Sequence, residues 1–145
     1  MPMHVSYVAV IGWLLILAAC FLAWRLGGKP ERQGALLVLA TSFLASFPGL
    51  IPDHDLQRVA YLAVDGVLAG GLLLLALRYA RIWLGVAVLL QGVQFSLHAY
   101  YIVAGRRYDY TYGAVNNMVS LGVLCSLVTG SILALRARRR NAAAK

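Results

Sequence analysis

Five long apolar stretches make up most of this chain, and they restrict its fold more than any other feature of the sequence. They run at about residues 5–24, 35–50, 59–77, 82–104 and 114–135. An α-helix needs roughly 20 apolar residues, with about 17 as the lower limit, to cross the hydrocarbon core of a bilayer. We therefore predict an all-α integral membrane bundle of five transmembrane helices, which forms one domain over residues 1–145.

The composition agrees with this prediction. Hydrophobic residues make up 61% of the chain and charged residues 12%, whereas soluble domains average about 45–50% and about 25%. A water-soluble globule is therefore excluded. The two cysteines, Cys20 and Cys125, lie inside apolar stretches and lack CxxC spacing, so we interpret them as packing residues rather than redox or metal-binding groups.

The distribution of basic residues predicts the topology. The second stretch is short and runs into Pro48 and Pro52, which break helices. If this stretch crosses the membrane, ten of the 13 Lys and Arg residues fall on one side; if it only dips in and returns, they divide almost evenly. Because Lys and Arg concentrate on the cytoplasmic side, we predict five crossings of the cell's inner membrane, with the N-terminus outside and the C-terminus in the cytoplasm.

The chain ends in a basic tail over residues 136–145. Arginines that follow a membrane span bind anionic lipid, at about 1 kcal/mol per charge. We therefore predict anionic lipid as the partner of this tail and expect no nucleic acid. Aromatic residues at the ends of the predicted spans are interpreted as interfacial anchors; they are Trp24, Tyr79, Trp83, Tyr108, Tyr110 and Tyr112.

Polar residues inside the predicted spans indicate a site. Asp65 is the only acidic residue within a predicted span, and His98 on the fourth stretch lies at a similar depth, roughly 10 Å from the outer end. An ionisable residue inside a span is a candidate functional residue by default. We predict that Asp65 and His98 contact each other.

The spacing of neighbouring polar residues extends this site. Gln91, Gln94, His98 and Tyr101 are three, four and three residues apart, which places them on one helical face. Asn116 and Asn117 lie four and three residues before Ser120 on the fifth stretch. These residues predict a polar pocket in the outer leaflet, formed by Asp65, Gln91, Gln94, His98, Tyr101, Asn116, Asn117 and Ser120. The alternative is that they only hydrogen-bond helix to helix, at about 0.6 kcal/mol each.

Motifs for catalysis are absent from the sequence. It contains no GxSxG, no HExxH and no glycine-rich phosphate loop. The run Asp53-His54-Asp55 matches no metal-binding signature, and we interpret it as a solvated loop. We therefore predict a protein that is not an enzyme and has neither metal nor cofactor.

Three functions are consistent with these features. The first is a non-enzymatic subunit or homo-oligomeric component of a larger membrane complex, with Gly66 and Gly70 as a small-xxx-small pair for close helix packing. The second is a transporter or channel for a proton, ion or small polar solute that uses Asp65 and His98. The third is a quinone- or haem-linked redox subunit, in which a single span histidine would require a partner to complete haem ligation.

Overall fold

The computed structural model describes residues 7–144, and all of its secondary structure is helical. The five α-helices are α1 Tyr7–Leu26, α2 Lys29–Leu44, α3 His54–Tyr79, α4 Ile82–Val103 and α5 Tyr110–Ala143, and a 3-10 turn at Pro48–Leu50 follows α2. All five are long and apolar enough to cross a membrane when α2 is counted together with its 3-10 turn. The predicted all-α fold with five such helices is therefore confirmed.

The helices are arranged as a ring. Each helix packs against the next one in the chain, α5 packs against α1, and α2 also contacts α5 directly. Connections are short and neighbours run antiparallel: along α2 and α3, Gly71 lies against Leu37, and the Tyr79 hydroxyl donates to Gln33 at 2.9 Å. We call the end with the 3-10 turn and connector 104–109 the tyrosine end, and the end with Arg25, Arg78 and Arg81 the arginine end.

Local capping explains why α2 and α3 begin earlier than predicted. Helix α2 begins at Lys29 rather than near residue 35, because Pro30 fits the first helical turn and the Glu31 carboxylate accepts the Gly28 N–H at 2.7 Å. Helix α3 begins at His54 rather than near residue 59, because Asp53 accepts the Asp55 N–H at 2.9 Å. The Asp53-His54-Asp55 run is thus a helix cap and first turn rather than a loop.

Helix α5 is longer than the predicted span at both ends. It begins at Tyr110, after the N-cap Asp109, and continues to Ala143, so the basic tail through residue 143 is helical. Its 34 residues extend about 51 Å at 1.5 Å per residue, well beyond the roughly 30 Å of a hydrocarbon core. Arg138 donates to the Leu26 carbonyl and so joins this extension to the end of α1. The predicted helix start at Val5 and the last basic residue, Lys145, lie outside the described residues.

Trp83 fills the axis of the ring at the arginine end. Its indole lies between Gly34 of α2 and Gly130 of α5, where an added Cβ would stand 2.8 Å and 2.4 Å from ring carbons. Trp83 is 6% exposed, so its predicted role as an interfacial anchor is wrong. The indole N–H donates to Glu31 at 3.0 Å, and Glu31 is itself 2% exposed. Asp65 is therefore not the only acidic side chain inside the bundle, because the early start of α2 brings in a second.

We predict that Gly130→Ala destabilises the protein, because the indole is rigid and its ring cannot move away from a new methyl group. Overpacking of this kind costs about 1–3 kcal/mol. Thermal unfolding in detergent should show the loss. Gly113→Ala on the same helix is the matched control, since its Cβ would meet no atom within 4 Å and alanine favours helix by up to about 1 kcal/mol. Equal stability of the two variants would contradict this packing.

Candidate functional site

The predicted polar residues meet at a cavity on the axis of the ring, in the half nearer the tyrosine end. This ring cavity has a volume of about 430 Å³, and all five helices contribute to its wall. The wall has many polar residues. Five of them are Asp65 of α3, Gln91, Gln94 and His98 of α4, and Tyr112 of α5. The others come from α2, α3, α5 and connector 104–109, and they are Thr41, Ser42, Tyr61, Tyr108, Asn116 and Ser120.

Asp65 and His98 are in direct contact, as the sequence predicts. The imidazole Nε2 lies 2.8 Å from the Asp65 Oδ2, and the contact is an ion pair when the ring is protonated. Asp65 is 9% exposed and His98 3% exposed. Apart from this contact with the imidazole, Oδ2 has no hydrogen-bond donor among residues 7–144.

Two glutamine amides hold the other carboxylate oxygen. The Nε2 groups of Gln91 and Gln94 donate to the Asp65 Oδ1 at 3.4 Å and 3.3 Å. Gln94 also donates to the Asn116 Oδ1 at 2.9 Å. One hydrogen-bonded network therefore joins α3, α4 and α5, and it fixes Asp65 from one side only.

Two tyrosines cover the His98 ring. The Tyr112 hydroxyl lies 2.7 Å from Nε2, and the Tyr108 hydroxyl lies 3.5 Å from Nδ1. The two phenol rings are stacked, with centroids 3.9 Å apart. Both line the ring cavity, which their predicted role as interfacial anchors did not include. The spacing did contain the signal: Tyr112, Asn116 and Ser120 are four residues apart and share one face of α5.

Two of the predicted pocket residues lie elsewhere. Tyr101 is buried but points to the connector, where its hydroxyl donates to Asp109 at 2.7 Å. The Tyr112 N–H and this phenol together hold the pKa of Asp109 below its ordinary value. Asn117 is exposed on the outer face of α5, one position away from the cavity wall. Asp65, Gln91, Gln94, His98, Asn116 and Ser120 all line the cavity.

A second cavity at the tyrosine end leads toward the first. This end cavity has a volume of about 530 Å³, and it is lined by His54, Asp55, Gln57, Arg58, Tyr61, Gly105, Arg107 and Tyr108. Tyr61 and Tyr108 line both cavities. The Arg58 guanidinium lies 5.3 Å from the centroid of the Tyr108 ring. The two tyrosines therefore separate the ring cavity from the surface at this end.

The arrangement can accept a hydrogen bond or a positive charge at Asp65 and can exchange a proton between Asp65 and His98. Residues 7–144 contain no group of three His, Cys, Asp or Glu side chains placed to hold a metal ion.

No protein-family model, curated protein or solved structure matches this chain.

We predict that Asp65→Asn and His98→Gln each destabilise the protein by about 1–3 kcal/mol, since each leaves a buried partner incompletely bonded. The stability loss of the double variant should be smaller than the sum of the two single losses, because the second change removes a residue whose partner is already lost. The difference, which is the interaction energy of the pair, should be about 0.5–3 kcal/mol. Chemical unfolding in detergent measures all four proteins.

Asp53→Asn is the control for this cycle. Asp53 is an exposed acid at the start of the same helix, and asparagine caps a helix as well as aspartate does. Its stability should stay within about 0.5 kcal/mol of the wild-type value. Strictly additive losses at positions 65 and 98 would show that the two residues do not interact.

Proposed function

We propose that this protein is a non-enzymatic component of the inner membrane that binds a small polar ligand in the ring cavity. One observation carries the proposal: the buried Asp65 carboxyl group belongs to the wall of a cavity of about 430 Å³, and its Oδ2 has no donor among residues 7–144 other than the His98 imidazole at 2.8 Å. A ligand that brings a donor would add a hydrogen bond to this carboxyl group, and the volume lies within the range of about 300–1,000 Å³ that is usual for ligand sites.

The proposed orientation follows from the basic residues. Nine of the 13 Lys and Arg residues lie at the arginine end or in the C-terminal part of α5, and a tenth, Lys145, follows α5 in the sequence, so this end belongs in the cytoplasm beside anionic lipid. The tyrosine end then faces outward, and the ring cavity lies in the outer leaflet.

We also propose that the chain works as a homo-oligomer or as a subunit of a larger membrane complex. On α3, Gly66 faces Phe95 within the bundle, whereas a Cβ at Gly70 would meet no atom within 4 Å. The Gly70 face of α3 is therefore the side on which another helix can approach closely.

Cysteine labelling tests both the orientation and the access to the cavity. In a Cys125→Ala background, in which the remaining Cys20 is buried, Asp55→Cys and Ser120→Cys should react with a membrane-impermeant maleimide in intact cells. Lys29→Cys, at the start of α2, should react only in inverted vesicles. The Cys125→Ala parent is the control and should not react.

Two results would contradict the proposal. Labelling of Lys29→Cys in intact cells would show that the orientation is the opposite of the one proposed. Protection of Ser120→Cys from the reagent in both intact cells and inverted vesicles would show that the cavity is closed to solutes on both sides.

Transport is the second candidate function, and the contacts from Tyr112 through His98 to Asp65 support it, because protons can pass along such a series. The packing toward the arginine end argues against it. Beyond Gln91 the axis is filled by the buried side chains of Leu84, Leu127 and Trp83. These apolar groups interrupt the polar path, so the arrangement favours binding from one side.

We predict that proteoliposomes containing the wild-type protein collapse an imposed pH gradient no faster than protein-free liposomes. A trapped pH-sensitive dye gives the rate, and a protonophore at the end of each trace shows that a gradient was present. Faster collapse with wild-type protein, abolished by Asp65→Asn but not by Asp53→Asn, would establish transport instead.

The third candidate, a quinone- or haem-linked subunit, has less support. Both nitrogens of the His98 ring lie within 3.1 Å of the Tyr112 hydroxyl, and Nε2 also contacts Asp65. These contacts suit a hydrogen-bonding role for the imidazole more than axial ligation of a haem iron.

A further inference from the structure

The polar groups of the ring cavity define the class of ligand, and this inference rests on the proposed binding function. The amide donors of Gln91 and Gln94 already point at the Asp65 Oδ1, whereas Oδ2 has no donor among residues 7–144 other than the His98 imidazole at 2.8 Å. Because an ionised carboxylate only accepts hydrogen bonds, a ligand that contacts Asp65 must present a donor. Because the acceptor belongs to a carboxyl group, a positively charged donor matches it best.

Aromatic rings add a second preference for positive charge. Tyr61, Tyr108 and Tyr112 line the part of the ring cavity that faces the tyrosine end. The face of an aromatic ring attracts a cation within about 6 Å of its centroid. The Arg58 guanidinium, 5.3 Å from the Tyr108 centroid, shows that this cluster already attracts a cation on the side of the end cavity.

The rest of the wall suits a carbon skeleton. Side chains from four helices make it apolar: Ile16, Val38, Leu68, Val123 and Leu124. A cavity of about 430 Å³ is far larger than the roughly 30 Å³ that one water takes up in the liquid. A bare metal ion would leave most of this apolar wall without contacts, and a carboxylate or phosphate would be repelled by Asp65.

We propose that the ring cavity binds an organic primary ammonium ion with an apolar body. The ammonium group, which has three N–H donors, bonds to the Asp65 carboxylate and faces the tyrosine rings. The apolar body packs along Val38, Leu68 and Leu124 toward the arginine end. Recognition thus needs both the charge and the N–H groups of the ligand.

Binding of phenethylammonium to the purified full-length protein in a non-ionic detergent tests this proposal. Isothermal titration calorimetry should show saturable binding at one site per chain. The Kd should rise about 10- to 100-fold in Asp65→Asn, which loses a hydrogen bond between charged groups. It should stay unchanged in Asp53→Asn, which changes an exposed acid outside both cavities.

Three analogues of the probe separate charge, donor and shape. The neutral 2-phenylethanol keeps the shape and a donor, 3-phenylpropionate reverses the charge, and the N,N,N-trimethyl derivative of the probe keeps the charge without an N–H. Each should bind at least about tenfold more weakly than phenethylammonium, since none of them can form a hydrogen bond between an ammonium and a carboxylate.

Alkylation protection gives a readout that does not depend on how well Asp65→Asn folds. In the Cys125→Ala background, phenethylammonium should slow the alkylation of Ser120→Cys, which lines the cavity. It should leave the rate at Asn117→Cys unchanged, because Asn117, one turn away on the same helix, does not line the cavity. This pair also corrects for any effect of the probe on the detergent.

The outcomes distinguish this inference from the function on which it rests. If 2-phenylethanol or 3-phenylpropionate protects Ser120→Cys and phenethylammonium does not, the cavity is a binding site but the ammonium class is wrong. The class is also wrong if sodium or potassium chloride protects equally at the same concentration. If every probe fails and the maleimide cannot reach Ser120→Cys from either side, the proposed function is wrong as well.

Discussion

Space along the axis of a five-helix ring has to be filled by side chains, and the two ends of this protein meet that constraint differently. At the arginine end, glycines at positions 34 and 130 bring α2 and α5 close enough to hold the Trp83 indole between them. At the tyrosine end, Asp65, His98 and two glutamines surround a cavity instead. Beyond this cavity, toward the arginine end, the axis is filled by the buried indole and its apolar neighbours.

The two buried carboxylates show what distinguishes a structural acid from a candidate binding group. Glu31 accepts the Gly28 N–H with one oxygen and the Trp83 N–H with the other, so both of its oxygens have donors. Asp65 accepts from two amides at Oδ1, whereas its Oδ2 contacts the His98 imidazole. Both carboxylates are removed from water, but both oxygens of Glu31 accept from N–H groups that do not titrate, and one oxygen of Asp65 faces a ring that can gain or lose a proton.

Periodicity predicted the parts of the site that lie within regular helices. The three- and four-residue spacing of Gln91, Gln94 and His98 was sufficient to place them on one face of α4, and charge and depth were sufficient to pair Asp65 with His98. Spacing failed for Tyr101, because the same face of α4 continues past the cavity and meets Asp109 of the connector. Spacing also could not predict that Glu31 is buried or that Trp83 points into the bundle, since both depend on where α2 begins relative to α4.

The charges of the chain favour the approach of a cation from the tyrosine end. Four of the five acidic residues, Asp53, Asp55, Asp65 and Asp109, belong to the half of the bundle that includes this end, whereas most of the excess of basic residues lies at the arginine end and beyond it. A positive ligand is therefore repelled less by the tyrosine end than by the arginine end. Three arginines lie at the tyrosine end, Arg58, Arg106 and Arg107, and their number equals that of the aspartates near its surface, Asp53, Asp55 and Asp109. The Arg58 guanidinium is held 3.8 Å from Asp55 and over the Tyr108 ring. The surface charges at this end thus balance, and Asp65 adds a negative group deeper on the axis.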